Sequence, residues 1–334
     1  MSDPNSQDFQ APPPPSPPPV EPKAPRPTKL RPVAIGLFVL GLLLAGAGVA
    51  NFLPGGIGTG ATFAFWGILL FALSFIPLPQ VKADEPPMSG VQKIVGIFFE
   101  PTRVFRNLRA HPYWLAAFLV IGIAQVVYST AFVSRLTPEV IVEFTMRKLE
   151  ESPIKPPPEA MEKAKADALQ QAKQPIQRVQ TAAKSFFGVF VFTCFLTALC
   201  LLGVLAFGGR INFWQAFAAT LYSFLPVEVI TKLLSLIILF IKAPEDVHPI
   251  LGAQTLVQDN LGVLFTPAEH PALFVLGASI GVLSFYGLWL RAKGLANAGT
   301  KVSSSAAWGV TLTIFVLGLI FGMIFATLFS SFIS

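Results

Sequence analysis

The sequence predicts an all-α fold: a polytopic helical membrane bundle with about seven transmembrane helices. Two observations carry this expectation. Of the 334 residues, 53% are hydrophobic and only 13% are charged, whereas a soluble domain usually carries about 25% charged residues. A helical residue rises about 1.5 Å, so roughly 20 apolar residues are needed to cross a hydrocarbon core about 30 Å thick, and several windows of the chain qualify.

Residues 1–32 contain twelve prolines, including Pro12 to Pro15 and Pro17 to Pro19, with almost nothing apolar to bury. This composition predicts a disordered, Pro-rich cytoplasmic tail with polyproline stretches. A solvated tail and a docking segment for a proline-reading domain are both compatible with it. So long a polar lead argues against a cleaved signal peptide, although Ala45-Gly46-Ala47 weakly mimics a cleavage site.

The predicted spans lie at about 33–53, 61–79, 113–133, 185–207, 213–241, 271–290 and 304–332. The first two form an N-terminal transmembrane hairpin over 33–79, with the Gly55–Gly60 run (GGIGTG) read as a tight turn. Span five is too long for one straight crossing. Pro226 lacks a backbone donor and is expected to break or bend it.

Residues 80–112 precede span three as an interfacial amphipathic segment. Val91, Ile94, Val95, Phe98, Phe105 and Leu108 repeat at helical spacing, Arg103, Arg106 and Arg109 occupy other faces, and Pro101 divides the stretch. A basic amphipathic segment beside a span lies in the headgroup layer, with the arginines offered to anionic lipid. The alternative is packing against the bundle.

The long polar loop of 134–184 has its own helical pattern. Thr137-Pro138-Glu139 has the chemistry of a helix start. A second helix is expected after Pro156 to Pro158, with a thin stripe of Met161, Ala164, Ala168, Ala172, Ile176 and Val179 leading into span four. Solvated helices and a partner-binding hairpin both fit.

Loops rich in Lys and Arg stay in the cytoplasm. With the N-terminus inside, the inner segments hold 13 basic residues, while the outer loop of 242–270 holds only Lys242. The 134–184 loop, with nine basic and seven acidic residues, is the exception. The charges read as topology signals and not as a nucleic-acid surface. The expected placement is therefore N-terminus cytoplasmic and C-terminus outside.

Chemistry-bearing motifs are sparse. Cys194 and Cys200 share one apolar run on different helix faces, which disfavours a bond between them. His111, His248 and His270 lack metal-ligand spacing. No nucleophile motif, P-loop or dinucleotide fingerprint occurs. No catalytic, cofactor or metal site is expected, and the chain is not expected to be an enzyme.

Within the spans, Glu228 and Lys232 at i, i+4 are the favourable order for a helical ion pair. Pro226 leaves the Tyr222 carbonyl unpaired. Tyr222, Pro226, Glu228 and Lys232 thus form a candidate intramembrane polar site, either a structural pin or a binding site. Gly277 with Gly281, and Gly318 with Gly322, are candidate close-packing positions, for contacts inside the bundle or for dimerisation.

Phe98-Phe99-Glu100-Pro101-Thr102-Arg103-Val104-Phe105, followed by His111-Pro112-Tyr113-Trp114, resembles the start of the Yip domain of Ypt/Rab-interacting integral membrane proteins. Tyr222-Ser223-Phe224-Leu225-Pro226, Asn260-Leu261-Gly262, and Leu288-Trp289-Leu290 to Gly294-Leu295 resemble it in the same order, over about residues 90–332. The resemblance implies a five-helix membrane domain within 113–334, to which spans one and two are added, with its N-terminal side cytoplasmic. The chain looks like the bacterial kind, which implies a cytoplasmic (inner) membrane. It has Phe-Phe-Glu-Pro where eukaryotic relatives carry Asp-Leu-x-Gly-Pro, which counts against binding of a Rab-type GTPase.

The expected partners are the bilayer, its anionic lipids, and other membrane proteins or a second copy of the chain. Two functions compete: membrane organisation, scaffolding or a trafficking-like role, and transport of a small molecule, ion or lipid through the broken fifth helix. A dry interior favours the first, and a water-filled cavity at Glu228 favours the second.

Overall fold

The computed structural model describes residues 28–53, 55–81, 85–151, 157–172 and 175–329. The readings for most of the Pro-rich tail and for the last five residues lie outside them. The helices are α1 (Leu30–Val49), α2 (Gly56–Leu73), α3 (Gly90–Phe99), α4 (Pro101–Ala110), α5 (Leu115–Leu136), α6 (Pro138–Glu151) and α7 (Pro158–Ala172). They continue as α8 (Pro175–Ala206), α9 (Phe213–Ile241), α10 (Leu251–Gln254), α11 (Pro271–Ser279), α12 (Val282–Ala298) and α13 (Ser304–Leu328). Among the described residues there is no strand, and the one isolated bridge joins Asn260 to Gly281. The fold is an all-α polytopic membrane bundle.

Among the described residues, six helices are long and apolar enough to cross a membrane: α1, α2, α5, Gln180–Ala206 of α8, α9 and α13. The seventh expected span, 271–290, is not one helix. It is α11 and α12, separated at Ile280 and at Gly281, whose backbone is extended. The break is held by a distant loop: the Leu261 N–H donates to the Ile280 carbonyl at 3.1 Å. The Asp259 carboxylate accepts from the Leu283 N–H at 2.8 Å, placing negative charge at the positive end of α12.

Pro226 does not break span five. Helix α9 runs unbroken over 29 residues.

Hydrogen bonds define two ends of the bundle. At the near end Thr28 bonds to Ser74, Trp214 to Ile76, Asn212 to Pro77, Gln215 to Arg109, and Arg210 to Thr300 and Lys301. At the far end Gln180 bonds to Gly55, Arg135 to Lys242, and Phe144 of α6 meets His248. Helix α12 returns the chain to the near end, so α13 starts there and finishes at the far end.

The α1–α2 hairpin packs through small residues. A side-chain carbon on Gly60 would lie 2.4 Å from the Gly41 carbonyl oxygen, and one on Gly48 would lie 2.4 Å from the Ile57 nitrogen. Backbone contact this close is the lipid-phase alternative to hydrophobic burial, which has little driving force between apolar helices and lipid tails. It also corrects the reading of Gly55–Gly60. Only Gly55, with φ of 74°, forms the turn, and Gly56 already belongs to α2. The hairpin joins the bundle through Trp66, whose ring meets Phe118, Phe187 and Phe190 edge-on or tilted. Trp114, Phe190, Trp214 and Phe217 continue that aromatic cluster, each pair contributing about 0.5–1.5 kcal/mol beyond area.

Candidate functional site

The most distinctive structure at the near end is a shelf made of α3 and α4. Ser89 starts α3 with a reciprocal cap: its hydroxyl accepts from the Gln92 N–H at 3.2 Å, and the Gln92 side chain accepts from the Ser89 N–H at 2.8 Å. Pro101 then opens α4, where a missing N–H costs nothing. Ile97, Val104, Phe105 and Leu108 turn inward and are fully buried. The Phe105 ring lies against Gly294 of α12, where an added carbon would sit 3.1 Å from it.

Polar contacts lock this shelf. The Asn107 amide donates to the Pro86 carbonyl at 2.9 Å and its oxygen accepts from the Met88 N–H at 3.2 Å. Lys93 is fully buried, donates to the His111 carbonyl at 2.8 Å and lies 4.9 Å from the Tyr113 ring centre. Burial pushes its ammonium down to about 8.

The three arginines read together in the sequence have three different settings. Arg103 is exposed and paired with Glu100 at 3.2 Å and Glu85 at 3.5 Å. Arg109 donates to the Asn297 carbonyl at 3.1 Å, which ties the shelf to α12. Arg106 is exposed and has no ion pair among the described residues. The shelf's outer side is an apolar stripe at i, i+4, i+8: Val91, Val95 and Phe99 are 71%, 53% and 80% exposed. The segment therefore has two apolar faces, one against the bundle and one turned away from it.

The candidate polar site in α9 comes apart. Tyr222 and Pro226 are buried, and the Tyr222 hydroxyl has no hydrogen-bond partner among the described residues. Glu228 is half-buried, and the structure places no Glu228–Lys232 ion pair within 4 Å. Lys232 instead donates to the Gln254 carbonyl and lies 4.9 Å from the Tyr128 ring centre. Tyr128 donates to the Gly252 carbonyl, and the Ser235 hydroxyl accepts from the Leu256 N–H at 3.0 Å. A carbonyl already fixed by the loop satisfies the ammonium without desolvating a second charge. Lys232 thus pins the 251–256 loop to α9 and α5.

The glycine pairs face loop as well as helix. An added carbon on Gly277 would meet the Leu261 and Gly262 backbone at 2.8 Å, and one on Gly281 would meet Asn260 at 2.9 Å. Gly322 faces Val275 of α11, whereas nothing lies within 4 Å of the corresponding point at Gly318.

Sequence reasoning missed Arg291 by ending the span at residue 290. Its guanidinium carbon lies 5.1 Å from the Phe224 ring centre of α9, and the side chain is half-buried. The signal was the uninterrupted Leu288-Trp289-Leu290-Arg291-Ala292-Lys293-Gly294-Leu295, which carries the helix past the charge.

No curated protein and no solved structure matches the chain. The Yip1 domain family model matches residues 95–326, from within α3 to the last turn of α13, leaving the α1–α2 hairpin outside. With the match covering more than half of the chain, and the helices around it long and apolar enough to span a bilayer, this is an integral membrane protein belonging to the Yip1 domain family.

Proposed function

We propose that the chain is a non-enzymatic membrane-organising scaffold of a bacterial cytoplasmic membrane, with the near end and N-terminus cytoplasmic and the C-terminus outside. The observation that carries this reading is the shelf: a locked pair of short helices that exposes Val91, Val95 and Phe99 beside Arg106, which has no ion pair among the described residues. An apolar stripe flanked by a cation suits the headgroup layer, where insertion and attraction to anionic lipid add, each basic residue contributing about 1 kcal/mol. The orientation is supported by the basic residues gathered at the near end, among them Arg31, Arg103, Arg106, Arg109, Arg210 and Lys301.

Transport is the second reading. It is favoured by Glu228, which is half-buried with no hydrogen bond or ion pair among the described residues. One experiment separates the two. The full chain and a Val95→Asp, Phe99→Asp variant are purified in mild detergent, and their lipids and co-purifying membrane proteins are compared. Loss of anionic lipid and partners from a still-folded variant supports the scaffold. An unchanged set, with solute uptake by proteoliposomes that Glu228→Gln abolishes, overturns it in favour of transport.

A further inference from the structure

At the far end, helix α6 leaves the bundle through a single residue. Thr137 alone separates the end of α5 at Leu136 from the start of α6 at Pro138, and its backbone stands at φ 64° and ψ 146°. The ψ is what a residue before proline adopts, but the positive φ at this ψ is left almost entirely to glycine, and Thr137 is β-branched. The joint is therefore strained, and contacts further along α6 hold it in place.

Two such contacts are present. Ile141 packs on the cluster of Tyr128, Phe132, Leu136, Leu239 and Val247, where α5, α9 and the loop after α9 meet. Nearly one turn on, the Phe144 ring meets the half-buried His248 ring edge-on, with centres 5.0 Å apart.

His248 also caps α10. Its Nδ1 accepts the N–H groups of Ile250 and Leu251 at 3.2 and 3.1 Å, and its carbonyl accepts the Gly252 N–H at 2.9 Å. Asn or Asp usually supplies this cap. An imidazole nitrogen that accepts N–H groups holds no proton. Protonation turns it into a donor facing two donors, so the capped loop and the protonated ring exclude each other. The capped segment is where Lys232 of α9 and Tyr128 of α5 attach, through the Gln254 and Gly252 carbonyls.

The cations of α6 act in the same direction. Arg147 and Lys148 lie 5.2 and 5.6 Å from the Phe144 ring centre, so a charged His248 is a third cation at that ring. Glu143 and Glu150 line a groove toward α7. In the loop of His248, Lys242, Glu245 and Asp246 are exposed, where water screens them. Arg135 of α5 donates to the Lys242 carbonyl.

We propose that His248 is an acid-operated latch: neutral, it caps α10 and holds Phe144; protonated, it frees both, and α6 with the α7 packed on it swings about Thr137. The latched form binds one proton fewer at His248. It therefore prevails at high pH and is lost as the pH falls through the range in which histidine titrates, about pH 5 to 8. The latch uses no residue of the shelf and is independent of the scaffold reading. Only the compartment whose pH it senses rests on the orientation proposed above, which puts the far end outside.

The test follows the distance between α7 and the bundle in the full chain. Spin labels are attached at Ala166→Cys on α7 and Ile241→Cys at the end of α9, in a Cys194→Ala, Cys200→Ala background reconstituted into nanodiscs. Pulsed electron paramagnetic resonance is recorded from about pH 8 down to about pH 5. A narrow distance distribution at the higher pH that gives way to a longer or broader one at the lower pH is expected. His248→Asn, whose oxygen accepts N–H groups but takes no proton, should keep the narrow distribution throughout. No change in the parent, or the same change in His248→Asn, would overturn the latch. Thr137→Gly, which relieves the joint in the latched form, should move the midpoint to lower pH, and an unmoved or raised midpoint would contradict a strained joint. Should His248→Asn not fold, Phe144→Ala carries the test: the open distribution is expected already at the higher pH, and a closed one there contradicts the proposal.

Discussion

Filling Gly294 is expected to lift the α3–α4 shelf while leaving the bundle intact. A carbon at this position would lie 3.1, 3.3 and 3.4 Å from three atoms of the Phe105 ring. Alanine therefore needs a shift of only a few tenths of an ångström. Replacing a helical glycine recovers about 1 kcal/mol of helix propensity, so Gly294→Ala should be nearly neutral. Valine adds two further methyl groups into space that Phe105 fills, and overpacking of this kind costs about 1–3 kcal/mol. Concentrated on the shelf, that loss speeds local opening by roughly 5- to 150-fold. Amide hydrogen exchange of the full chain in nanodiscs reads it directly. Gly294→Val should accelerate exchange over 90–110 and not over 213–225, and Phe105→Leu added to Gly294→Val should restore part of the protection. Unchanged exchange in Gly294→Val would refute the Phe105 lock. Equal acceleration throughout α9 would show that the shelf and bundle open together.

Three further outcomes follow from the contacts described. In a double-mutant cycle, Glu228→Gln and Lys232→Met should couple by less than about 0.5 kcal/mol in melting experiments, because Lys232 is held by Gln254 and Tyr128; a coupling above about 1 kcal/mol would restore the ion pair. Gly60→Leu should separate α1 from α2, since even its first carbon would lie 2.4 Å from the Gly41 carbonyl oxygen; amide hydrogen exchange over 30–73 should then accelerate, and unchanged exchange would contradict the close seam. Lys93 has a folded-state value lowered from 10.5 to about 8 by burial. Below pH 8 it is charged in both states and the burial cost is present in full. Between about 8 and 10.5 the unfolded chain binds more protons, so stability should rise with pH, and Lys93→Met should remove that rise.

How much was legible in the sequence depended on how local the cause was. Six of the seven spans appear as single long helices because each is an apolar run that must satisfy its own backbone, although the second, expected at 61–79, is α2 at Gly56–Leu73. Helix α6 begins at Pro138 and α7 at Pro158, where the proline and cap chemistry indicated. The break at Ile280–Gly281 was not legible, since Asn260 and Leu261 that hold it stand some twenty residues away and leave no period in the sequence. Nor was the partner of Lys232, because a backbone carbonyl has no residue identity to read. The spacing of Gly277 and Gly281 announced a small surface but not what would lie on it. Helix α3 was read as one amphipathic face, whereas its apolar residues serve two.

Membrane contact of the shelf is tested most directly by the depth of its outer face. Single cysteines at positions 95, 106 and 165 are placed in a Cys194→Ala, Cys200→Ala chain, labelled with an environment-sensitive fluorophore and reconstituted into vesicles. Lys165, exposed on α7, serves as the aqueous reference. Quenching at position 95 by lipids brominated near the carbonyl, weak quenching there by iodide, and the reverse at 165 are expected. Position 106 should respond to both. Iodide quenching at 95 as strong as at 165, with no effect of brominated lipid, would contradict a shelf seated in the headgroup layer.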